Sequence, residues 1–186
     1  GMTTAESIDY ISKLLKNRKT GIKICISIAA AFGCPFEGKV SPSRVIEIAD
    51  KCLDLNPDEI SLADTIGVAV PKDIKEKVKP LILLSSKTPV RLHLHNTRNT
   101  AISNAWTAFE LGVRRFDASF GGIGGCPFAP KATGNVAIED LVYLFEKSGI
   151  ATGVNLDEAI KVAKWLQDQV KHPLPSALLA AGDFKI

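Results

Sequence analysis

Two histidines separated by one leucine, His93 and His95, are the residues whose types and spacing most directly indicate chemistry. They end an apolar run typical of a β-strand, in which residues two apart project from the same face. Two neutral imidazoles side by side could ligate a metal ion, since histidine is a common metal ligand. The spacing also fits one buried core histidine beside an exposed one. The elements around the pair must therefore decide between these readings.

Strand-like and helix-like stretches alternate along the chain, which predicts a repeated βα unit. The predicted strands are 22–29, 59–63, 90–95 and 115–119. The predicted helices are 5–17, 42–55, 71–84, 97–111, 137–147 and 156–170. Helical crossovers imply a parallel sheet, either doubly wound or closed as a barrel. Four units preceded by a helix predict one α/β domain over residues 1–186, which corresponds to half of a (β/α)8 barrel.

Composition indicates a folded chain and disfavours several classes of function. Of the 186 residues, 46% are hydrophobic and 23% are charged, which is ordinary for a globular protein. The net charge of +3 is scattered, so we expect no nucleic-acid partner. No apolar stretch is long enough to span a membrane and no signal-like segment is seen, so we expect a cytoplasmic protein without a membrane partner. The four cysteines lack paired spacing and are expected to be free thiols.

Polar or glycine-rich residues follow the predicted strands, where parallel α/β folds place their chemistry. Asp64 follows the second strand, the histidine pair ends the third, and glycines at 121–125 follow the fourth. Asp64 could instead be a helix N-cap. The glycines could cradle an anion, or they could form a mobile lid that carries Cys126, whose thiol could transfer a proton. Together these residues indicate a site on one rim of the sheet.

Asn135 precedes a predicted helix that carries Glu139 in its first turn. Asparagine is a favoured N-cap residue, which is one reading of Asn135. Its amide oxygen could instead complete a site for a hard metal ion with the two histidines. The sequence leaves both readings open.

Five segments, in this order, resemble hydroxymethylglutaryl-CoA lyase. They are Gly33-Cys-Pro-Phe-Glu-Gly-Lys39, Glu59-Ile-Ser-Leu-Ala-Asp-Thr-Ile-Gly67, His93-Leu-His95, Gly122-Ile-Gly-Gly-Cys-Pro-Phe128 and Gly134-Asn-Val-Ala-Ile-Glu-Asp-Leu-Val-Tyr143. The resemblance runs from Thr4 to Trp165. It implies a TIM barrel and a metal-dependent cleavage of an acyl-CoA substrate, 3-hydroxy-3-methylglutaryl-CoA, to acetyl-CoA and acetoacetate. Related aldolases or acyl-CoA condensing synthases, and a catalytically silent half-barrel module, are the alternatives.

Carried over by position, the resemblance implies both metal ligands and catalytic groups. The implied metal ligands are His93, His95 and Asn135, and the implied catalytic residues are His93, Cys126, Asp64 and Glu139. Cys126 would be the thiol of a lid, while Asp64 and Glu139 would support proton transfer. The implied ion is Mg²⁺ or Mn²⁺, which suit oxygen ligands with imidazole, and Zn²⁺ also fits such ligands.

Two departures from the family pattern affect these expectations. Asn96 and Asn99 stand where the family has an aspartate and a glycine, which leaves a related 3-hydroxyacyl-CoA open as the substrate. Nothing in residues 1–22 matches the arginine–aspartate pair on the family's first strand, so the resemblance is to the C-terminal half alone. We expect a complementing first-half polypeptide, or a second copy in a homo-oligomer, to complete the site. A repeated Gly-Cys-Pro-Phe, at 33–36 and 125–128, is compatible with the second option.

Overall fold

The computed structural model describes residues 1–126 and 129–184, with the backbone alone for residue 126 and residues 129–133. Its helices and strands follow in chain order: α1 (Thr4–Lys16), β1 (Cys25–Ile28), α2 (Pro42–Leu53), β2 (Glu59–Asp64), α3 (Pro71–Ser85), β3 (Val90–Leu94), α4 (Ala101–Glu110), β4 (Arg115–Asp117), a 3-10 turn (Phe120–Gly122), β5 (Gly125–Cys126), β6 (Ala129–Thr133), α5 (Ile138–Lys147), α6 (Leu156–Val170) and α7 (Ala177–Ala181).

Strands β1 to β4 form one parallel sheet in which each strand lies beside its predecessor in the chain. A doubly wound sheet reverses its strand order at a switch point, whereas a barrel keeps sequential order. The predicted parallel βα repeat is therefore confirmed, and the order favours part of a barrel over the doubly wound alternative. The short antiparallel pair β5–β6, which the sequence did not predict, follows β4.

One face of the four-stranded sheet is apolar and carries the core. Ile60, Leu62, Leu92 and Leu94 are each at most 1% exposed. They belong to one hydrophobic cluster with buried residues of α2, α3 and α4. The helices form where apolar side chains recur at helical spacing, and α2 and α3 both begin with a proline at an N-terminal helical position. Burial of the apolar helix faces against the sheet holds the carboxyl ends of the strands in position.

The opposite face of the sheet is polar and carries a charged network. Arg91 donates from Nε to Glu59 at 2.8 Å and from Nη1 to Asp117 at 2.7 Å. Arg115 also donates to Glu59. These bonds with the two carboxylates raise the pKa of the Arg91 guanidinium above its ordinary value. The network ties β2, β3 and β4 together directly below the strand ends that carry the histidines.

Several predicted element bounds were wrong, and one error has a clear cause. Helix α4 begins at Ala101, not at residue 97, because Asn99 has a left-handed φ of 57° and interrupts the helix. The Asn96 side chain accepts a hydrogen bond from the N–H of Ala101 at 3.1 Å, at the residue where the loop ends and α4 begins. The short helix α7 was not predicted. Among the described residues, no helix is both long and apolar enough to cross a membrane.

Candidate metal centre

His93 and His95 lie side by side at the carboxyl end of β3. His93 is the fourth residue of the strand and His95 follows its last, so strand alternation sends both toward the polar face. Their ring centroids are 5.1 Å apart and the ring planes are inclined by 60°. His95 is 4% exposed, whereas 32% of the His93 side chain is exposed. The pair presents one buried and one accessible imidazole.

Asn135 is brought beside His95 by the backbone. Two hydrogen bonds of 3.0 Å link residues 134–136 to residues 94–96, and they pair Asn135 with His95 in an antiparallel bridge. Asn135 is therefore not the N-cap of α5, a position that Ala137 holds. The structure thus brings together the three side chains that the sequence suggested as metal ligands.

Two buried atoms in this cluster lack a partner within the described part of the chain. Asn135 donates from Nδ2 to the carbonyl of Ile123 at 3.0 Å, while its Oδ1 accepts no hydrogen bond. The Nδ1 atom of His95 is likewise buried and unpaired. Buried polar atoms nearly always have a hydrogen-bond partner, so two unpaired atoms on neighbouring side chains require an explanation. An amide oxygen with imidazole nitrogens suits a divalent cation, and the residues present fit such an ion.

The environment of His95 also keeps its ring ready to ligate. Burial lowers the pKa of His95 from its ordinary value, and the neighbouring His93 lowers it further. A histidine must be neutral to bind a metal. The lowered pKa favours the neutral ring. Protons therefore compete with a metal ion for the ring nitrogen of His95 less than they would at an exposed histidine.

As ligands of a metal ion, these three side chains would leave a coordination sphere to be completed. Among the side chains that the structure describes, those of residues 1–125 and 134–184, no group of three or more His, Cys, Asp or Glu residues is arranged to hold a metal ion. Mg²⁺ prefers octahedral coordination dominated by oxygen. Two imidazoles and one amide oxygen therefore need further oxygen ligands.

Asp117 is a site residue that the sequence analysis missed. It lies opposite His93 in the β3–β4 register, and its Oδ2 is 3.6 Å from Nδ1 of His93. Its other oxygen accepts from Arg91 at 2.7 Å. A carboxylate beside a ligating histidine commonly fixes the orientation of the ring. The available signal was the predicted fourth strand, on which Asp117 reaches the same rim as the histidines.

Asp64 ends β2 and is fully buried. Its two carboxylate oxygens accept backbone N–H groups, from Val68 at 2.9 Å and from Ala69 at 3.0 Å. Burial raises the pKa of Asp64, and these two bonds oppose that shift. Asp64 is not the N-cap of α3 and instead shapes the loop after β2. That loop touches the site, because a Cβ on Gly67 would lie 2.9 Å from the carbonyl oxygen of His95.

Glu139 lies in the first turn of α5 and is also fully buried. Its Oε1 accepts the N–H of Gly121 at 2.9 Å, while its Oε2 has no partner among the described residues. Burial is the main cause of a raised pKa at this carboxyl. The structure thus places Glu139 against the loop of residues 119–124, which we call the glycine loop.

The glycines of the glycine loop permit close packing. A Cβ on Gly121, whose φ is 65°, would lie 2.3 Å from Cδ1 of Leu174. A Cβ on Gly124 would lie 2.4 Å from Nδ2 of Asn135.

After the glycine loop the backbone leads into β5, where Cys126 pairs with Ala129. The Cys126 side chain and residues 127–128 lie outside what the structure describes, so the expected lid thiol stays a prediction.

Asn99, which departs from the family pattern, and its neighbour Arg98 have local structural roles. Asn99 adopts a left-handed conformation, which asparagine tolerates better than most residues other than glycine. Arg98 donates from Nη1 to the carbonyls of Ile66 at 2.8 Å and Gly67 at 3.0 Å. These bonds tie the loop after β3 to the loop after β2 and hold the Arg98 guanidinium on backbone.

Comparisons with known proteins agree with this geometry. The family model described as HMGL-like matches residues 1–166, and the chain belongs to this family. (R)-citramalyl-CoA lyase of Chloroflexus aurantiacus is 48% identical over 181 residues, covering 97% of this chain and 57% of the relative. Mitochondrial hydroxymethylglutaryl-CoA lyase of Homo sapiens is 38% identical over 177 residues, covering 95% and 54%. The chain therefore spans somewhat more than half the length of these relatives.

A solved structure extends the likeness to three dimensions. An HMG-CoA lyase from A. baumannii, in complex with coenzyme A and 3-methylmalate, superposes with a TM-score of 0.93 at 40% identity. The match covers 100% of this chain and 62% of that one. The four βα units therefore correspond to part of an HMG-CoA lyase barrel.

Proposed function

We propose that this chain is the metal-binding part of a carbon–carbon lyase that cleaves 3-hydroxy-3-methylglutaryl-CoA to acetyl-CoA and acetoacetate. One observation carries the proposal: the buried, unpaired Oδ1 of Asn135 lies in a cluster with the buried, unpaired Nδ1 of His95, beside His93. These three residues would hold Mg²⁺ or Mn²⁺, and Zn²⁺ is compatible with the same ligands. Membership of the HMGL-like family supports an acyl-CoA substrate.

The reaction requires removal of a proton from a tertiary hydroxyl, cleavage of a carbon–carbon bond and protonation of the resulting enolate carbon. A divalent ion held by His93, His95 and Asn135 would supply Lewis acidity for the negative charge that develops on oxygen. Nδ1 of His93 faces Asp117 and its other ring nitrogen is assigned to the ion, so the hydroxyl proton needs an acceptor other than His93. We assign to Cys126 the transfer of a proton to the enolate carbon.

Asp64 and Glu139 contribute to this proposal by holding loops. Both carboxylates accept backbone N–H groups, in the loop after β2 and in the glycine loop respectively. We therefore assign them the positioning of the histidine and asparagine ligands rather than a direct exchange of protons with the substrate.

We further propose that the complete site needs residues from outside these 186. The whole chain then acts as one half-barrel unit, and the closing half would supply oxygen ligands and a cation for the enolate. The partner is a polypeptide carrying the arginine–aspartate pair of the family or a second copy of this chain. The chain covers 57% of (R)-citramalyl-CoA lyase, so that relative has residues with no counterpart among these 186.

Citramalyl-CoA is the second candidate substrate. The 48% identity to (R)-citramalyl-CoA lyase favours it, and Asn96 and Asn99 depart from the hydroxymethylglutaryl-CoA lyase pattern without indicating a particular substrate. Citramalyl-CoA has one methylene fewer between its carboxylate and its tertiary carbon, and its cleavage would release pyruvate with acetyl-CoA. One methylene is worth roughly 10–200-fold in specificity, so parallel assays for pyruvate and acetoacetate distinguish the two substrates.

The test begins with Mn²⁺ binding to the full chain, followed by electron paramagnetic resonance. We expect His95→Ala and Asn135→Ala each to weaken Mn²⁺ binding at least ~10-fold, in line with loss of a ligand. His172→Ala is the matched control, because His172 is exposed and contacts the carbonyl of Pro173. Equal affinity in all three variants would overturn the proposed centre. Turnover is then assayed with and without a first-half polypeptide.

A further inference from the structure

The segment of residues 174–178, which we call the C-terminal segment, packs directly on the glycine loop. Leu174 is 7% exposed and leaves no room for a Cβ at Gly121. Pro175 lies against two further glycines, since a Cβ on Gly122 would be 3.3 Å and a Cβ on Gly134 3.5 Å from its Cγ. The C-terminal segment therefore forms one wall for the glycine loop and for the backbone at Gly134, next to Asn135.

Asp140 holds the C-terminal segment in this place. Its Oδ1 accepts from Oγ of Ser176 and from the N–H of Leu178, both at 2.9 Å, and its Oδ2 accepts from the N–H of Ala177 at 3.1 Å. Asp140 is 9% exposed and Ser176 is 5% exposed. Buried hydrogen bonds to a carboxylate are among the stronger ones in proteins. Three of them on one side chain make Asp140 the anchor of the segment.

The glycine loop in turn orients the amide of Asn135. The Ile123 carbonyl accepts from Nδ2 of Asn135 at 3.0 Å and from Oγ of Ser119 at 2.6 Å. The Gly124 carbonyl accepts the N–H of Gly134 at 2.8 Å. Because Nδ2 is committed to Ile123, the amide cannot flip, and Oδ1 stays presented as the acceptor.

We propose that Asp140 is a positioning residue for Asn135, acting through the C-terminal segment and the glycine loop. The proposal rests on the proposed function in one respect, namely that Asn135 is a metal ligand. Its structural part, the coupling of Asp140 to the orientation of the Asn135 amide, does not depend on metal binding. Glu139, the preceding residue, grips the same loop directly through Gly121.

The experiment compares Asp140→Ala with Asp73→Ala in the full chain. Asp73 is also in the first turn of a helix and accepts a backbone N–H, that of Val70 at 3.0 Å, but it lies in α3. We expect Asp140→Ala to raise hydrogen exchange at the Gly134 amide about 10-fold or more and to shift the side-chain NH₂ resonances of Asn135. Asp73→Ala should change neither signal.

Mn²⁺ affinity gives the second readout. Asp140→Ala should weaken it ~10-fold, as loss of a group supporting a ligand typically does. In an Asn135→Ala background, Asp140→Ala should cause little further loss, because the two changes act through the same ligand. If Asp140→Ala does not fold, Ser176→Ala removes one of the three donors and should produce smaller changes in the same directions.

The outcomes separate the two proposals. If Asp140→Ala lowers the melting temperature but leaves the Gly134 exchange and the Asn135 resonances as in Asp73→Ala, Asp140 is only a structural contact and the inference is overturned. If the unmodified chain binds no Mn²⁺ either alone or with a first-half polypeptide, while these two signals respond as expected, the coupling holds and the proposed metal centre fails.

Discussion

His93 and Asp117 face each other across strands β3 and β4, with Nδ1 of the imidazole 3.6 Å from Oδ2 of the carboxylate. The second oxygen of Asp117 is held by Arg91, which is held in turn by Glu59. The carboxylate therefore cannot turn away without breaking an ion pair. This arrangement defines which side of the His93 ring is available to a substrate or an ion.

Asp117→Asn should weaken Mn²⁺ binding roughly 10-fold to 100-fold, the range found when a group supporting a ligating histidine is removed. The physical reason is loss of the charge that orients His93. Titration with Mn²⁺ measures the affinity, and circular dichroism checks that the variant is folded. Glu59→Gln is the control, because it disturbs the same arginine without contacting His93. Similar losses in both variants would count against a specific role for Asp117.

Glu139→Gln should stabilise the chain increasingly as pH rises. Burial raises the native pKa of Glu139 above its ordinary 4.5, so the native state holds this proton more tightly than the unfolded state. The stability from this group is full below pH 4.5 and is lost as pH rises through the native pKa. Glutamine stays neutral and keeps an oxygen for the N–H of Gly121. Urea unfolding at pH 4 and about pH 7.5 measures the difference, taken relative to the unmodified chain.

Glu158→Gln provides the comparison for this pH dependence. Glu158 lies in the first turn of α6 and forms an exposed ion pair with Lys161. Exposed pairs of this kind contribute little stability, so Glu158→Gln should change the free energy of unfolding little at either pH. A stability difference for Glu139→Gln that is independent of pH would contradict the prediction.

Gly121→Ala should lower the free energy of unfolding by about 2 kcal/mol or more, because a clash with Leu174 is added to the cost of a left-handed alanine. Gly149→Ala separates the two effects. Its φ is 77°, but nothing lies within 4 Å of the added Cβ, so strain alone should cost roughly 1 kcal/mol. Leu174→Ala should relieve part of the clash when combined with Gly121→Ala. Equal losses in the two alanine variants would refute the packing argument.

Asn99→Ala should destabilise the chain by about 1 kcal/mol, whereas Asn99→Gly should leave stability nearly unchanged. The reason is the left-handed φ of 57° at this position, just before α4 begins. Thermal unfolding measures both variants. Asn17→Ala is a suitable reference, because Asn17 also adjoins a helix end but has a φ of −100°.

The sequence predicted the parallel βα repeat because apolar runs and helical spacing report burial directly. Strand alternation also predicted that His93 and His95 would project from the same face, and their ring centroids lie 5.1 Å apart, while their role as metal ligands stays a prediction. It could not show that Asn135 faces His95, because that pairing depends on backbone bonds between segments 40 residues apart. The family resemblance gave Glu139 a role in proton transfer. Its buried contact with the N–H of Gly121 is a tertiary feature, which no local sequence pattern reveals.

The charged network on the polar face would affect how that face associates with the proposed closing half of the barrel. Its two arginines, Arg91 and Arg115, are matched by two carboxylates, Glu59 and Asp117, so this group has no net charge. Long-range attraction between proteins depends on net charge and is screened by salt. Association through this face should therefore depend only weakly on ionic strength, and its rate should be set by shape and short-range contact rather than by electrostatic steering.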